Sequence, residues 1–391
     1  MIGNFKYLYY KNPVMFRKVG LFLLLHFVSI GLVAPYTLLI QLRYASLKSM
    51  LLLNGAGFLI GALILYGFIS GSFPVVDVRK RLMFFKGLLM TGRLSVLLLL
   101  FFGDTFLRFP LLVLSVFGGT LSYPIINADY QFLMFKSYGL KNRVRLTSAN
   151  TVVMNLTIIV MNFVSSLVYP RLYLIYLVAV FVDLLAIVSL TGFSGDYSYR
   201  VVGKISGAFK RAELEIFSVM FLLQVVLVLL MFIRPVVFKG MGEDSVGFLF
   251  GIASILNAVT VHYALHYIGG RRPFIKTGII SMILSVFLFA SLQNTYLQVI
   301  GVLLVIPLVF TIILGFRHIV FKKSDRELTW GIGAINELLR SLAYIMFIPI
   351  GFLGNGGVVS IVYVVISLLF TIGVVAFHLF TKEHHKVLCD A

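Results

Sequence analysis

Two residues of opposite charge, Glu337 and Arg340, lie in an otherwise apolar segment of the C-terminal half of the chain. A spacing of three residues places both side chains on one face of a helix. A carboxylate in such a position could exchange a proton, and a guanidinium could bind an anionic solute. Because a charge in an apolar environment is costly and usually functional, this pair is the first candidate for a solute- or proton-binding site. The alternative is a self-neutralised pair that holds two parts of the molecule together.

Seven further polar side chains lie in apolar segments and are candidates for the same binding path. They are Asn155, Asp129, Asn127, His26, Asn54, Gln224 and Asn257. His26 on its own also fits a hydrogen-bonded packing residue. His262 and His266 have the i,i+4 spacing that a metal site can use, but no third ligand lies nearby in the sequence. We therefore expect no metal site, and no cofactor.

Two more charges, Arg93 and Asp183, lie about midway along apolar segments. A lone charge facing lipid would cost roughly 2.5–3.5 kcal/mol or more. If the two segments cross the membrane in opposite directions, both residues reach a similar depth. We therefore predict that Arg93 and Asp183 form a structural ion pair outside the solute path, or that each turns inward to a polar partner.

The composition indicates which elements carry these residues. Of the 391 residues, 60% are hydrophobic and 12% are charged, whereas soluble domains typically contain about 25% charged residues. Apolar runs of about 20 residues predict membrane-spanning helices, because a helix satisfies its backbone hydrogen bonds internally in lipid. The sequence therefore predicts an all-α polytopic membrane protein.

Twelve spans are predicted, in two groups of six. The first group covers residues 19–43, 46–70, 81–103, 107–134, 146–170 and 171–194, and the second covers 214–238, 244–268, 272–294, 296–321, 328–353 and 357–380. The predicted domains are an N-terminal six-helix bundle at 1–194, a basic cytoplasmic linker at 195–213, and a C-terminal six-helix bundle with a short tail at 214–391.

The formal net charge of +19 follows from this topology. With twelve spans, most lysines and arginines fall in the termini and in the loops on the same side, which predicts that both termini are cytoplasmic. The cations are scattered over short loops, whereas nucleic-acid binding needs a basic face. We therefore expect membrane lipids as partners, with some attraction to anionic lipid, and no nucleic acid.

The two groups of spans are related by an internal repeat. The turn at 78–81, after the second span, aligns with 269–272, after the eighth. The segment at 142–155 aligns with 325–337, so that Asn155 is the counterpart of Glu337. Two six-helix halves in parallel orientation, with a polar path between them, are a transporter architecture.

The turn after the second span resembles the signature of the major facilitator superfamily, which has a glycine, an acidic residue, a second glycine and a basic pair. Gly71 matches the first glycine, Lys80 and Arg81 match the basic pair, and the copy in the second half keeps Gly269, Arg271 and Arg272. Val75 replaces the acidic residue and Val78 replaces the second glycine, but Asp77 could substitute for the acid. The stretch FGGTLSYPIINA at 117–128 is similar to the family's glycine-rich fourth helix.

The resemblance implies two pseudo-symmetric six-helix bundles whose halves meet through the turn after the second span. The implied gating residues on the cytoplasmic side are Gly71, Asp77, Arg79, Lys80, Arg81, Gly269, Arg271 and Arg272. Their cations are expected near carboxylates or helix ends of the opposite half. The alternative is that these cations only set the topology. The third and sixth helices, which carry Arg93 and Asp183, are outer supports in this family.

These observations predict a secondary active transporter of the cell membrane that moves a small solute by alternating access, coupled to ions or protons. We expect a monomer without enzymatic activity. A polytopic membrane enzyme that acts on lipid-linked substrates is the alternative, but it would need a cluster of acids, histidines or nucleophiles at the membrane surface. A passive channel is disfavoured because the sequence has no repeated filter-like segment.

Overall fold

A computed structural model describes the fold over residues 13–70, 72–73, 77–138, 143–191, 211–267, 294–323, 326–353, 362, 364–373 and 375. Several sequence-based predictions fall outside these residues. They concern Gly71, Gly269, Arg271, Arg272, the span at 272–294 and most of the linker.

The described chain is helical. In the N-terminal half, the helices are α1 (Pro13–Val33), α2 (Thr37–Tyr44), α3 (Leu47–Ser70), α4 (Val78–Phe102), α5 (Arg108–Tyr138), α6 (Arg143–Leu167) and α7 (Leu172–Ser189). In the C-terminal half they are α8 (Arg211–Lys239), α9 (Ser245–Tyr267), α10 (Thr295–Lys323), α11 (Arg326–Ala343), α12 (Phe347–Leu353) and α13 (Val364–Gly373). Among the described residues, six helical segments are long and apolar enough to cross a membrane, and the sixth, Ala334–Phe352, runs from α11 into α12. The number is seven if the bent pair α1 and α2 forms one span.

Two predicted spans are interrupted in the structure. The span predicted at 19–43 bends by 45° between α1 and α2, where Pro35 cannot continue the backbone hydrogen bonds of the helix. The span predicted at 328–353 is divided between α11 and α12 by a 3-10 turn at Tyr344–Met346. Ala334–Phe352 nevertheless forms one segment long and apolar enough to cross a membrane. The bend and the 3-10 turn both adjoin the central cavity.

Close helix packing fixes the N-terminal half. Helices α4 and α5 meet at Gly92 and Gly118, where a Cβ atom added to Gly118 would lie 2.6 Å from the Gly92 Cα atom. Small residues allow such close approach between helices in a membrane, where lipid competes for apolar contact. Helix α1 packs against α6 and α7, and α3 packs against α5.

The two halves of the chain contact each other along several helix pairs. Helix α6 packs against α9, α5 against α11, and α3 against both α11 and α12. These contacts place polar residues from distant parts of the sequence around one central space.

Candidate functional site

A cavity of about 530 Å³ lies between the two halves of the chain. Seven of the sequence-predicted path residues line it, namely Glu337, Arg340, Asn155, Asn127, Asn54, Gln224 and Asn257. Helices of both halves therefore supply its walls. The structure brings these residues together, although their role in binding stays a prediction.

Glu337 and Arg340 lie on one face of α11, as their spacing predicts. The Arg340 Nη1 atom is 4.0 Å from the Glu337 Oε2 atom. The Asn127 amide of α5 donates a hydrogen bond to the same oxygen at 3.4 Å. A residue of the N-terminal half and a residue of the C-terminal half thus meet at the Glu337 carboxylate.

Amide side chains complete the polar wall. The Gln224 Nε2 atom of α8 donates to the Asn336 Oδ1 atom of α11 at 3.1 Å. The Asn54 amide instead donates to the Met50 carbonyl, 2.8 Å away in its own helix. The Gln224 Oε1 and Asn257 Oδ1 atoms are buried without a hydrogen-bond partner among the described residues. Such acceptors in a cavity wall suit a polar solute or water.

Asp129 does not lie among the described residues that line the cavity, and its place on the solute path stays a prediction. It is buried and accepts hydrogen bonds from the Arg81 guanidinium, with 2.7 Å between the Arg81 Nε and Asp129 Oδ2 atoms. The Arg81 guanidinium also lies over the Phe68 ring, with 4.5 Å between its Cζ atom and the ring centroid. Helix α5 directs Asn127 towards the cavity and Asp129 towards α4, because residues two apart do not share a helix face.

We expected the cations of this turn to lie near carboxylates or helix ends of the opposite half. The carboxylate that Arg81 contacts, Asp129, belongs to the same half as Arg81. Asp77 caps the N-terminus of α4 by accepting a hydrogen bond from the Arg79 backbone N–H at 2.9 Å. Lys80 is exposed. The gating role of this turn stays a prediction.

His26 also lies outside the described cavity lining, and its place on the path stays a prediction. It is fully buried between α1 and α4, where the Lys86 Nζ atom is 2.9 Å from its Nδ1 atom. Lys86 is itself fully buried and lies 2.6 Å from the Asp183 Oδ1 atom. The structure thus gives His26 a hydrogen-bonded packing environment.

Arg93 and Asp183 are in direct contact, with 2.5 Å between the Arg93 Nη1 and Asp183 Oδ2 atoms. Arg93 also donates to the Ser29 hydroxyl and, at 3.3 Å, to the Tyr123 hydroxyl. Since Tyr123 lines the cavity, this charged cluster adjoins the cavity wall.

Sequence analysis did not single out Arg234, although this residue lies within the span predicted at 214–238. The structure places Arg234 within α8, directly before Pro235, and both residues line the cavity. The Arg234 Cζ atom lies 3.8 Å from the centroid of the Phe250 ring. An arginine next to a proline inside an apolar segment was the available signal, because a broken helix often lines a binding site.

One end of the bundle, which we call the Arg43 end, is closed by contacts between the two halves. The Glu243 carboxylate lies 3.0 Å from the Arg43 Nη2 atom and 2.6 Å from the Lys239 Nζ atom, and it accepts a hydrogen bond from the Tyr169 hydroxyl at 2.5 Å. The hydrogen bonds from Lys239 and Tyr169 lower the pKa of Glu243 to about 2.

Two further contacts support the closure of the Arg43 end. The Ser166 hydroxyl donates to the Asp244 carbonyl at 2.9 Å, and the Gly247 N–H donates to the Tyr36 hydroxyl at 3.3 Å. Gly247 is required for this approach, because a Cβ atom there would lie 2.8 Å from the Tyr36 hydroxyl oxygen. Both contacts join the N-terminal half to the C-terminal half.

Sequence comparison finds no matching family model and no matching curated protein. Solved structures do match. A bacterial homologue of the iron transporter ferroportin in the inward-facing state superposes with a TM-score of 0.68 at 14% identity, covering 94% of this chain and 99% of that chain. A D-xylose-proton symporter gives 0.68 at 14% identity, covering 93% and 96%. The nucleoside transporter NupG gives 0.62 at 12% identity, covering 93% and 99%.

These similarities extend over nearly the whole chain and show the fold. The protein has the all-α membrane fold of major facilitator superfamily transporters, as the resemblance of its sequence implied. At these levels of sequence identity, the similarity shows only the fold.

Proposed function

We propose that this protein is a secondary active transporter that moves a small solute across the membrane by alternating access. The observation that carries the proposal is the central cavity, which both halves line and which contacts between the halves close at the Arg43 end. A solute that enters from that end requires the Glu243 contacts to break. The moving units would be the bundles at 1–194 and 214–391, joined by the linker at 195–213.

The Glu337 carboxylate is the proposed coupling group. It is largely buried, lines the cavity and contacts residues of both halves. Taking up a proton would remove its attraction for Arg340, so that solute binding and protonation could influence each other. The D-xylose-proton symporter has the same fold, and its name indicates coupling to protons. Protons are therefore the first coupling ion to test.

The remaining assignments follow from the charge distribution. The excess of lysine and arginine at the termini and in alternate loops supports a cell-membrane protein with cytoplasmic termini, so the Arg43 end would face outward. We propose a monomer that contacts membrane lipids, binds a small solute and protons, and has no enzymatic activity.

Counterflow into reconstituted vesicles tests this function. Vesicles loaded with one compound from a panel of sugars, nucleosides, amino acids and organic acids are diluted into the labelled compound, with and without a pH gradient. We expect exchange of at least one compound, Glu337→Gln to abolish its dependence on the pH gradient, and Arg340→Ala to weaken uptake. Arg108→Gln, at an exposed helix start, is the matched control. Unchanged exchange and unchanged pH coupling in both cavity variants would refute the assigned roles.

A further inference from the structure

The charges in the central cavity are unbalanced. Among the described residues that line it, two arginines, Arg234 and Arg340, accompany one carboxylate, Glu337. Glu337 lies on the Arg340 side, 4.0 Å from its Nη1 atom, and also accepts the Asn127 hydrogen bond. One positive charge is therefore uncompensated among the described lining residues.

Arg234 is the arginine without a described carboxylate partner. Its Nε atom is buried and has no hydrogen-bond partner among the described residues. Phe250 covers one face of the guanidinium, at 3.8 Å from the Cζ atom to the ring centroid. A stacked aromatic ring leaves the N–H groups in the guanidinium plane available, and these groups bind planar oxyanions through two parallel hydrogen bonds.

Tyr344 lines the same cavity as the two arginines. It lies at the 3-10 turn between α11 and α12, four residues after Arg340. Its ring is held in place by stacking on Phe58, with centroids 3.6 Å apart and an interplanar angle of 10°. Two guanidinium groups and a phenol thus line one cavity.

The rest of the wall is suited to an apolar body. Aromatic side chains from both halves line the cavity, among them Phe27, Phe58, Tyr123, Tyr130, Phe232 and Phe310. A volume of about 530 Å³ lies in the range of sites for small organic molecules. A bare inorganic anion would leave most of this apolar surface in contact with water.

We infer that the solute is an organic anion, whose carboxylate or phosphate group binds between Arg234 and Arg340 while its apolar, preferably aromatic, body packs against the cavity aromatics. This inference rests on the proposed function, since it names the solute class of the same cavity. It assigns Arg234 as the residue that distinguishes anions from neutral solutes, and Arg340 as a second contact whose charge Glu337 moderates.

Ligand-dependent thermal stability of the purified full-length chain in detergent tests the inference. The probes are 2-naphthoate and 2-naphthyl phosphate, with 2-naphthamide as the neutral analogue of the same shape. Acetate and inorganic phosphate supply the anionic groups alone. We expect 2-naphthoate or 2-naphthyl phosphate to raise the melting temperature at concentrations about tenfold lower than 2-naphthamide, as loss of one charge-assisted hydrogen bond predicts. Comparison of the two naphthyl anions identifies the preferred head group.

Variants of the arginines locate the effect. Arg234→Gln and Arg340→Gln should each raise the half-saturating probe concentration by about tenfold, while Arg108→Gln should leave it unchanged. Arg234→Lys, which keeps the charge but loses the planar fork, should give an intermediate value and remains informative if Arg234→Gln fails to fold. Equal potency of 2-naphthamide, unchanged potency in all the cavity variants, or no response to either naphthyl anion would overturn the inference. Equal potency of acetate or inorganic phosphate would overturn the role of the apolar body.

The outcome separates this inference from the proposed function. If the naphthyl anions bind through Arg234 but vesicles exchange no compound of any class, the anion-binding inference is supported and the proposed transport function is contradicted. If vesicles exchange only neutral or cationic compounds and the naphthyl anions do not bind, transport stands and the solute class assigned here is wrong.

Discussion

Lys86 and Asp183 form a buried ion pair between α4 and α7, with 2.6 Å between the Lys86 Nζ and Asp183 Oδ1 atoms. Arg93 shares the same carboxylate at 2.5 Å. Two buried cations therefore depend on one carboxylate, next to a histidine that contacts Lys86. Because two cations share one anion, substitution of Lys86, Arg93 or Asp183 should change the stability of the protein by different amounts.

Asp183→Leu is expected to be much more damaging than Arg93→Leu. Removing the carboxylate leaves Lys86 and Arg93 buried without a counter-charge, which costs on the order of 3–5 kcal/mol or more. Removing Arg93 leaves the Lys86–Asp183 pair neutral, so the loss should be smaller. Melting temperatures of the purified variants in detergent check the order. Equal losses would show that the two cations do not share the carboxylate.

Lys86→Met should be close to neutral or stabilising on its own, because it leaves one cation and one anion in place. In that background, Arg93→Leu should become as damaging as Asp183→Leu, since either change then leaves a single buried charge. A double-mutant cycle on melting temperature measures this dependence. Additive losses of Lys86→Met and Arg93→Leu would contradict the shared carboxylate.

The Arg93–Asp183 pair was predictable from sequence, because two isolated charges at similar depth have few ways to avoid lipid. The role of Lys86 was not, since its position near the start of a span also fits a residue facing the cytoplasm. Likewise, the spans carrying His26 and Asp129 were correctly located, but the direction each side chain faces depends on the rotation of the helix about its own axis. That rotation is set by the neighbouring helices, which the sequence does not identify.

Close packing of α4 on α5 gives a prediction with an internal control. Gly92→Ala and Gly118→Ala should lower the melting temperature, because a Cβ atom at either position would lie within 3.0 Å of backbone atoms of the other helix. Gly87→Ala, in the same helix, places its Cβ atom where nothing lies within 4 Å. It should be neutral or stabilising by up to about 1 kcal/mol, from helix propensity. If Gly92→Ala and Gly87→Ala behave alike, the close contact is absent.

Acid should weaken the contacts at the Arg43 end. The pKa of Glu243 is lowered to about 2, below its ordinary value of about 4.3. The stabilisation by its contacts is therefore complete above about pH 4.3 and is lost as the pH falls towards about 2. The difference in melting temperature between the parent and Glu243→Gln should be constant from neutral pH to about pH 5 and shrink below it. If this difference in melting temperature grew as the pH fell, the lowered pKa of Glu243 would be contradicted.

Some of the residues that line the cavity could be predicted from the sequence, and others could not. Glu337, Arg340 and five amide residues were found because polar groups in apolar spans are costly. Arg234 was missed because it lies close to the predicted end of its span, where a cation can also reach water. The Pro35 bend and the turn at Tyr344 were missed because apolar composition continues through both breaks.

Alternating access is tested most directly by distances across the Arg43 end. In a Cys389→Ser background, Ser49→Cys and Met241→Cys place spin labels at exposed positions on the two halves. Double electron–electron resonance in nanodiscs should show a short distance for the closed state and a longer one for the open state. Glu243→Gln should increase the longer population, because it removes the ionic contacts that hold this end closed. A single distance that is unchanged by Glu243→Gln, by pH and by the panel compounds would contradict alternating access.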